Sequence, residues 1–182
     1  NVASDDIYAE PSTYAEAMRG QHCNEWRAAC GDEMEALHRN NTAEVINVPP
    51  ATKLLTSKWV FKLKKTPDGS IERFKARLVA GGHRQIDGID YEEVFAPVGK
   101  FETLRVMLAC AAHYDYELHS VGISNAFLNG VLDQPVYMEI PEGYRDNLSG
   151  KCWKLNKTLY GLKQAPREWF KVLSEEWNGM EL

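Results

Sequence analysis

The side chains best suited to chemistry in this sequence are cations. Eight basic residues, Lys58, Lys62, Lys64, Lys65, Arg73, Lys75, Arg77 and Arg84, stand against Asp68 and Glu72 between positions 58 and 84. That segment carries +6 and leaves −11 for the rest of a chain whose total is −5. Clustered lysine and arginine gain from phosphate neutralisation and counterion release, so a basic island on an acidic chain suits a polyanion. A solvated charged hairpin explains the charge alone equally well. Carboxylates that could hold a metal are harder to find. In HSVGISNAFLNGVL, residues 119–132, the place of a side chain in an apparent strand is taken by Gly122. A glycine there marks a bulge, a close approach to a ligand, or the loss of something. The four cysteines (Cys23, Cys30, Cys110, Cys152) lie far apart or seven residues apart, and no histidine pair completes a zinc pattern. They read as reduced structural thiols.

These cations need elements to aim them. In KWVFKLKKTPDGSIERFKARLV, Trp59, Phe61 and Leu63 alternate with Val60, Lys62 and Lys64. Pro67-Asp68-Gly69 then supplies turn chemistry and a second alternating run follows, which predicts a β-hairpin. On its second strand Arg73, Lys75 and Arg77 share one face, and Phe74, Ala76 and Leu78 the other. Three neighbouring cations repel one another unless an anion lies across them, which favours a nucleic-acid or triphosphate contact over the solvated hairpin. Residues 12–40 read as helical with a break near Gly20, and Trp26, Ala29, Met34 and Leu37 line one face. A short strand falls between positions 41 and 56, a glycine-rich loop at 81–97, and a helix apolar almost all round, hence buried, at 101–113. Residues 116–123 read as a buried strand and residues 164–177 as a helix. With 182 residues, 44% hydrophobic and 26% charged, this is an ordinary globular composition, and the alternation predicts one continuous α+β unit. The longest apolar run is far short of the roughly 20 residues of a membrane span, and positions 1–20 lack a signal-peptide pattern, so an intracellular place, cytoplasmic or nuclear, is expected with no membrane partner.

Five motifs in order, KWVFK, IERFKARLVAGGHRQIDGIDYEEVFAPV, ISNAFLNG, VYMEIPEG and KLNKTLYGLKQAPREWF, resemble the reverse transcriptase region of copia-type retrotransposon Pol polyproteins. The similarity runs over residues 14–170. It implies a partial right-hand polymerase fold: a helical bracket and connecting strand at 1–50, a fingers-like region at 51–115, and part of an antiparallel palm at 116–182. The basic hairpin then resembles fingers, with Lys62, Lys64, Arg73, Lys75 and Arg77 facing phosphates of template and incoming nucleotide. LYGLKQAP is similar to the segment that packs on the new base pair, which makes Tyr160, Gly161, Lys163 and Gln164 candidate contacts. In NAFLNG, Asn125 and Ala126 match the backbone that cradles a triphosphate, and Phe127 the aromatic that excludes a ribose 2′-hydroxyl. Read from its own surroundings, Phe127 is a core aromatic. The implied partners are an RNA template, a DNA primer, a dNTP and the remainder of a Pol polyprotein.

The resemblance also implies Mg²⁺. Nucleotidyl transfer by two metals uses carboxylates to hold two ions roughly 4 Å apart, and hard cations favour aspartate. The family's first aspartate stands four residues before the alanine of NAFL, which is Gly122 here. Its aromatic-x-Asp-Asp hairpin follows the helix after LYGLKQAP, and the one adjacent Asp pair of this sequence is Asp5-Asp6 at the opposite end. Asp115, Glu117 and Asp133 are not placed to substitute. The resemblance therefore implies a reverse transcriptase fragment that is inactive alone and holds no stable Mg²⁺, or else a non-catalytic nucleic-acid-binding or assembly module derived from one. Two further departures are Gly81, where the family usually has lysine, and Ala43, where it usually has tryptophan.

Overall fold

The computed structural model describes residues 9–88 and 90–179, so Asp5-Asp6 falls outside them. Thr13 starts helix α1 (Tyr14–Arg19) by accepting the Glu16 N–H at 3.1 Å, and Gly20 ends it. Helix α2 (Cys23–Arg39) buries Trp26, Ala29, Cys30, Glu33 and Leu37, a stripe at three- and four-residue spacing. Strand β1 (Ala43–Asn47) follows, then β2 (Ser57–Lys65) and β3 (Ile71–Ala80) of the hairpin. Helix α3 (Phe101–Tyr114) leads to a 3-10 turn at Ala126–Asn129, strands β4 (Val131–Met138) and β5 (Lys151–Lys157), and helix α4 (Ala165–Asn178). The mixture of helices with antiparallel sheets is α+β, as the alternation predicts.

The hairpin is the expected one. Its pairing sets Trp59 opposite Leu78, Phe61 opposite Ala76 and Leu63 opposite Phe74. On this face α2 lays Trp26 edge-on to both Phe61 and Phe74, with ring centroids 5.2 and 4.7 Å apart. Such edge-to-face pairs add about 0.5–1.5 kcal/mol to the burial of their area. The other sheet has the order β1-β5-β4, all antiparallel. Leu55 joins the two sheets: its N–H donates to the Tyr137 carbonyl at 2.9 Å, and its carbonyl accepts the Glu139 N–H at 2.8 Å. Strands from near the two ends of the chain thus share one sheet, and Leu78, Leu128, Met138, Leu155 and Leu159 are the most buried large apolar side chains of the core.

 Each of these five, Leu159 included, is less than 2% exposed.

Two expectations are corrected. Residues 116–123 form no strand, and Leu118, Val121 and Ile123 are 59%, 83% and 47% exposed. A strand needs a ladder partner for its N–H and C=O groups, and among the described residues none lies beside this stretch. Helix α3 forms where its apolar pattern predicts, but among its residues only Ala111 is buried. An all-round apolar helix is suited to burial, yet Leu104, Val106, Met107 and Leu108 here lack a covering element among the described residues.

One buried carboxylate closes the outer edge of the hairpin. The Leu78 N–H on the free side of β3 donates to Glu33 Oε1 at 3.2 Å. Burial raises the Glu33 pKa, and the Leu78 hydrogen bond with the charges of Arg77 and Lys75 offsets this only in part. An acid whose folded pKa is raised contributes most below its unfolded value of 4.5, and that contribution is lost as pH rises through the folded value. Glu33→Gln keeps an acceptor for Leu78 and removes the charge. It should therefore melt above the parent at pH 7 and level with it below about pH 4.5. Glu33→Ala leaves the Leu78 N–H unpaired and should lose about 1–3 kcal/mol in denaturant titrations. Burial also pushes the neighbouring Cys30 thiol up to about 12, which keeps it protonated and inert.

Candidate nucleic-acid interface

The outward face of the hairpin gathers the predicted cations into a two-column grid. Lys62 lies directly opposite Lys75, and Lys64 directly opposite Arg73, with Arg77 one step further along β3 beside Val60. Same-face neighbours stand roughly 7 Å apart along a strand, and opposed side chains begin roughly 5 Å apart. Like charges set directly opposite each other destabilise a sheet. The cost is visible at Lys75: burial lowers its pKa, and Arg77, Arg73 and Lys64 push the same way. Glu10 relieves part of the repulsion by pairing with Lys62 and accepting the Leu63 N–H at 3.0 Å. That contact lowers the Glu10 pKa, chiefly through the Lys62 hydrogen bond.

Arg77 ties this grid to the second half of the chain. Its guanidinium lies 4.7 Å from the centre of the Tyr160 ring, and Tyr160 meets Phe127 edge-on at 5.0 Å. Arg77 Nε is buried and has no hydrogen-bond partner among the described residues. Phe127 is half-buried in the 3-10 turn that Asn125 enters with φ 53°, and the Ala126 carbonyl accepts the Asn129 side-chain amide at 3.1 Å. Thr158 holds the turn from below by donating its hydroxyl to the Phe127 carbonyl. Tyr160 is fixed by its own backbone, whose carbonyl accepts the Ala80 N–H at 2.8 Å. Gly161, at φ +91°, lets the chain turn away at once, and a Cβ there would run into the Ala80 carbonyl oxygen. The sequence-predicted residues Arg77, Phe127, Tyr160 and Gly161 therefore come together in space.

Lys163 and Gln164 face a different neighbour. Gln164 is buried, and its carboxamide accepts from Gln85 Nε2 at 2.9 Å and donates to the Asp90 carbonyl at 3.3 Å. The Lys163 N–H donates to Gln85 Oε1 at 2.9 Å, while its ammonium reaches the Tyr91 hydroxyl at 3.1 Å. The structure thus gives Gln164 and Gln85 a common task, the attachment of the 85–93 loop to the start of α4. Sequence reasoning passed over Gln85, Tyr91, Thr158 and Glu33. Each is an isolated polar residue with no periodic pattern to mark it. At Gly81, a Cβ would meet the Thr56 side chain, so lysine is accommodated here only if Thr56 moves. Ala43 opens onto an apolar cleft of about 260 Å³ lined by Met34, Leu37, Tyr144, Leu148 and Trp153 among others.

Gly122 sits in the exposed 116–123 stretch, and a Cβ added there meets nothing within 4 Å. Position 122 has no donor to offer a cation. Nearby Glu117 faces His119 at 3.6 Å, and Asp133 is held by Lys171 at 3.1 Å. Among the described residues, no three His, Cys, Asp or Glu side chains converge as metal ligands would. The described residues around position 122 do not offer the carboxylates of a two-ion site.

The profile of the reverse transcriptase (RNA-dependent DNA polymerase) family matches residues 40–181. The chain is 44% identical over 172 residues to the retrovirus-related Pol polyprotein from transposon TNT 1-94 of Nicotiana tabacum, covering 93% of this chain and 13% of that polyprotein. It is 40% identical over 168 residues to the corresponding polyprotein from transposon RE1 of Arabidopsis thaliana, covering 91% of this chain and 11% of that one. An uncharacterized mitochondrial protein of Arabidopsis thaliana, AtMg00820, is 42% identical over 86 residues, covering 47% of this chain and 51% of the relative. The chain thus spans about an eighth of the length of the first of these polyproteins. No solved structure matches. A profile match over most of the chain, with two Pol polyproteins aligned along nine-tenths of it, establishes that the chain belongs to the reverse transcriptase family of copia-type retrotransposons.

Proposed function

We infer that this chain supplies the fingers and part of the palm of a retrotransposon reverse transcriptase, and that its outer hairpin face holds the phosphates of an RNA template, a DNA primer and an incoming dNTP. The observation that carries the reading is the pair of opposed cations, Lys62 with Lys75 and Lys64 with Arg73. Such an arrangement costs stability in the free protein and is repaid when a polyanion lies across it. Arg77, aimed by the Tyr160 ring, stands at the end of the grid nearest Phe127. That placement suits a triphosphate lying between hairpin and palm. Asn125 and Ala126 would border it with backbone, and Lys163 would meet the template side.

The same reading makes the chain a binder without the chemistry. Mg²⁺ would need a carboxylate at position 122, and glycine provides none. A non-catalytic nucleic-acid-binding module is the second reading, and the empty side-chain position at Gly122 is the observation that favours it. The two separate in the response to Gly122→Asp in an RNA-templated primer-extension assay run with Mg²⁺ and then Mn²⁺. The matching segment of the tobacco TNT 1-94 polyprotein is replaced by this chain, with the unaltered polyprotein as reference. The Gly122 form should stay at background. Gly122→Asp, which enters open space, should raise extension by on the order of 100-fold or more. Extension by the Gly122 form would overturn the inactive reading, and no gain with Gly122→Asp would show that the substitution is not the main lesion.

A further inference from the structure

The loop at residues 85–93 carries four carboxylates, Asp87, Asp90, Glu92 and Glu93, immediately after the basic segment. Two of them hold cations that lie outside the hairpin. Asp90 Oδ2 is 3.7 Å from Lys53 Nζ while accepting the Ile86 N–H at 2.7 Å. Glu93 pairs with Arg167 at the start of α4. Between them Tyr91 covers Lys163, whose ammonium lies 4.9 Å from the ring centre. Asp87 and Glu92 hold no cation among the described residues. The loop is thus a strap of negative charge laid across Lys53, Lys163 and Arg167. Its backbone is anchored by the buried Gln85–Gln164 pair and by the Gln164 amide on the Asp90 carbonyl, so the carboxylates can exchange partners by side-chain rotation without detaching the loop.

We propose that this strap is an intramolecular competitor for nucleic acid: its Asp90 and Glu93 carboxylates occupy a second row of phosphate-binding cations until an RNA backbone displaces them. The proposal rests on the reading of the hairpin as a polyanion surface. Glu93 is 65% exposed and Lys53 41%, against 28% for Arg167 and 27% for Asp90, so each pair keeps one partner in water, where it is screened and weakly held. A phosphate chain already bound on the neighbouring grid presents many charges at high local concentration. It therefore outcompetes two separate carboxylates, and each exchange opens one positive charge to phosphate, with Arg167 keeping its contact to the buried Glu168 at 3.2 Å. The consequence is a binding surface whose full width opens only to a polymer, since a single nucleotide cannot reach grid and strap together.

The test compares Asp90→Asn/Glu93→Gln with Asp87→Asn/Glu92→Gln, which removes the same charge from positions that hold no cation. Binding of a fluorescent uridine oligomer of about twenty nucleotides is measured against KCl. The first variant should bind roughly tenfold more tightly at the lowest salt, with a log–log salt slope steeper by about 1.4, or ~0.7 for each freed cation. The control should keep the parent slope. Equal slopes in all three proteins, or equal gains in both variants, would overturn the strap. Should the double variant fail to fold, Asp90→Asn and Glu93→Gln singly are each expected to give about half the change, and parent slopes in both would overturn the proposal as well. A parent chain that shows no salt dependence would instead bring down the polyanion reading on which the strap depends.

Discussion

Gly161→Ala is expected to unfold the chain at temperatures where the parent is folded. Two costs coincide at this residue. Its φ of +91° lies where an L side chain is strained by roughly 1–2 kcal/mol, and its Cβ would meet the Ala80 carbonyl oxygen and, at 2.6 Å, Val79 Cγ1. The first of these partners is backbone and has little room to retreat. Ala80 is fixed in β3, and its N–H is bonded to the Tyr160 carbonyl one residue before the glycine. Gly82 adds a second lock, because a Cβ there would run into the Gly161 carbonyl. The sum is about 3–4 kcal/mol, a large share of the stability of an ordinary domain. Gly69→Ala is the control: φ is +89° there too, but nothing lies within 4 Å, so strain alone remains and the loss should stay near 1 kcal/mol. Chemical denaturation of the two variants measures the difference. Equal losses would mean that the close approach of LYGLKQAP to the hairpin does not govern the fold.

Removing the cations should have the opposite signature, a large loss of binding with little loss of stability. In Arg73→Glu/Lys75→Glu/Arg77→Gln, the first two changes place carboxylates opposite Lys64 and Lys62, which turns two repulsive cross-strand pairs into attractive ones worth about 0.2–1 kcal/mol each. Arg77→Gln gives up the stacking on Tyr160, a loss of similar size. These terms offset, so the melting temperature should stay within roughly 5 °C of the parent. Affinity for an RNA–DNA duplex should fall on the order of 100-fold at low salt, and its salt dependence should flatten. Unchanged affinity in a folded variant would remove the hairpin face from the binding surface.

The parts legible in the sequence are those with a short-range signal. Trp59, Phe61 and Leu63 alternating into Pro67-Asp68-Gly69 specify a hairpin because a period of two and a turn leave no other element that fits. The grouping of Arg73, Lys75 and Arg77 on one face follows from the same period. The contact of Arg77 with Tyr160, 83 positions further along the chain, has no such signal; the motifs named both residues, and only the fold brings their side chains together. Glu33 and Gln85 were invisible for a related reason. A single buried polar residue is defined by the backbone N–H or side-chain amide it meets, and neither partner is near it in sequence. The exposure of α3 and of residues 116–123 was misread because apolar composition reports what an element can bury, whereas burial also depends on what lies against it. The charge pattern of the strap was in plain sight as Asp87, Asp90, Glu92 and Glu93, but which of these hold a cation is a property of the folded loop.

The central claim, that the hairpin's opposed cations form a phosphate-binding face, is tested most directly by titrating the parent chain with an RNA–DNA duplex across rising salt. Four to five neutralised phosphates predict a log–log slope of roughly −4, and a loss of affinity of more than 100-fold between about 50 and about 200 mM salt. A slope near zero, or no measurable binding at the lowest salt, would contradict the account.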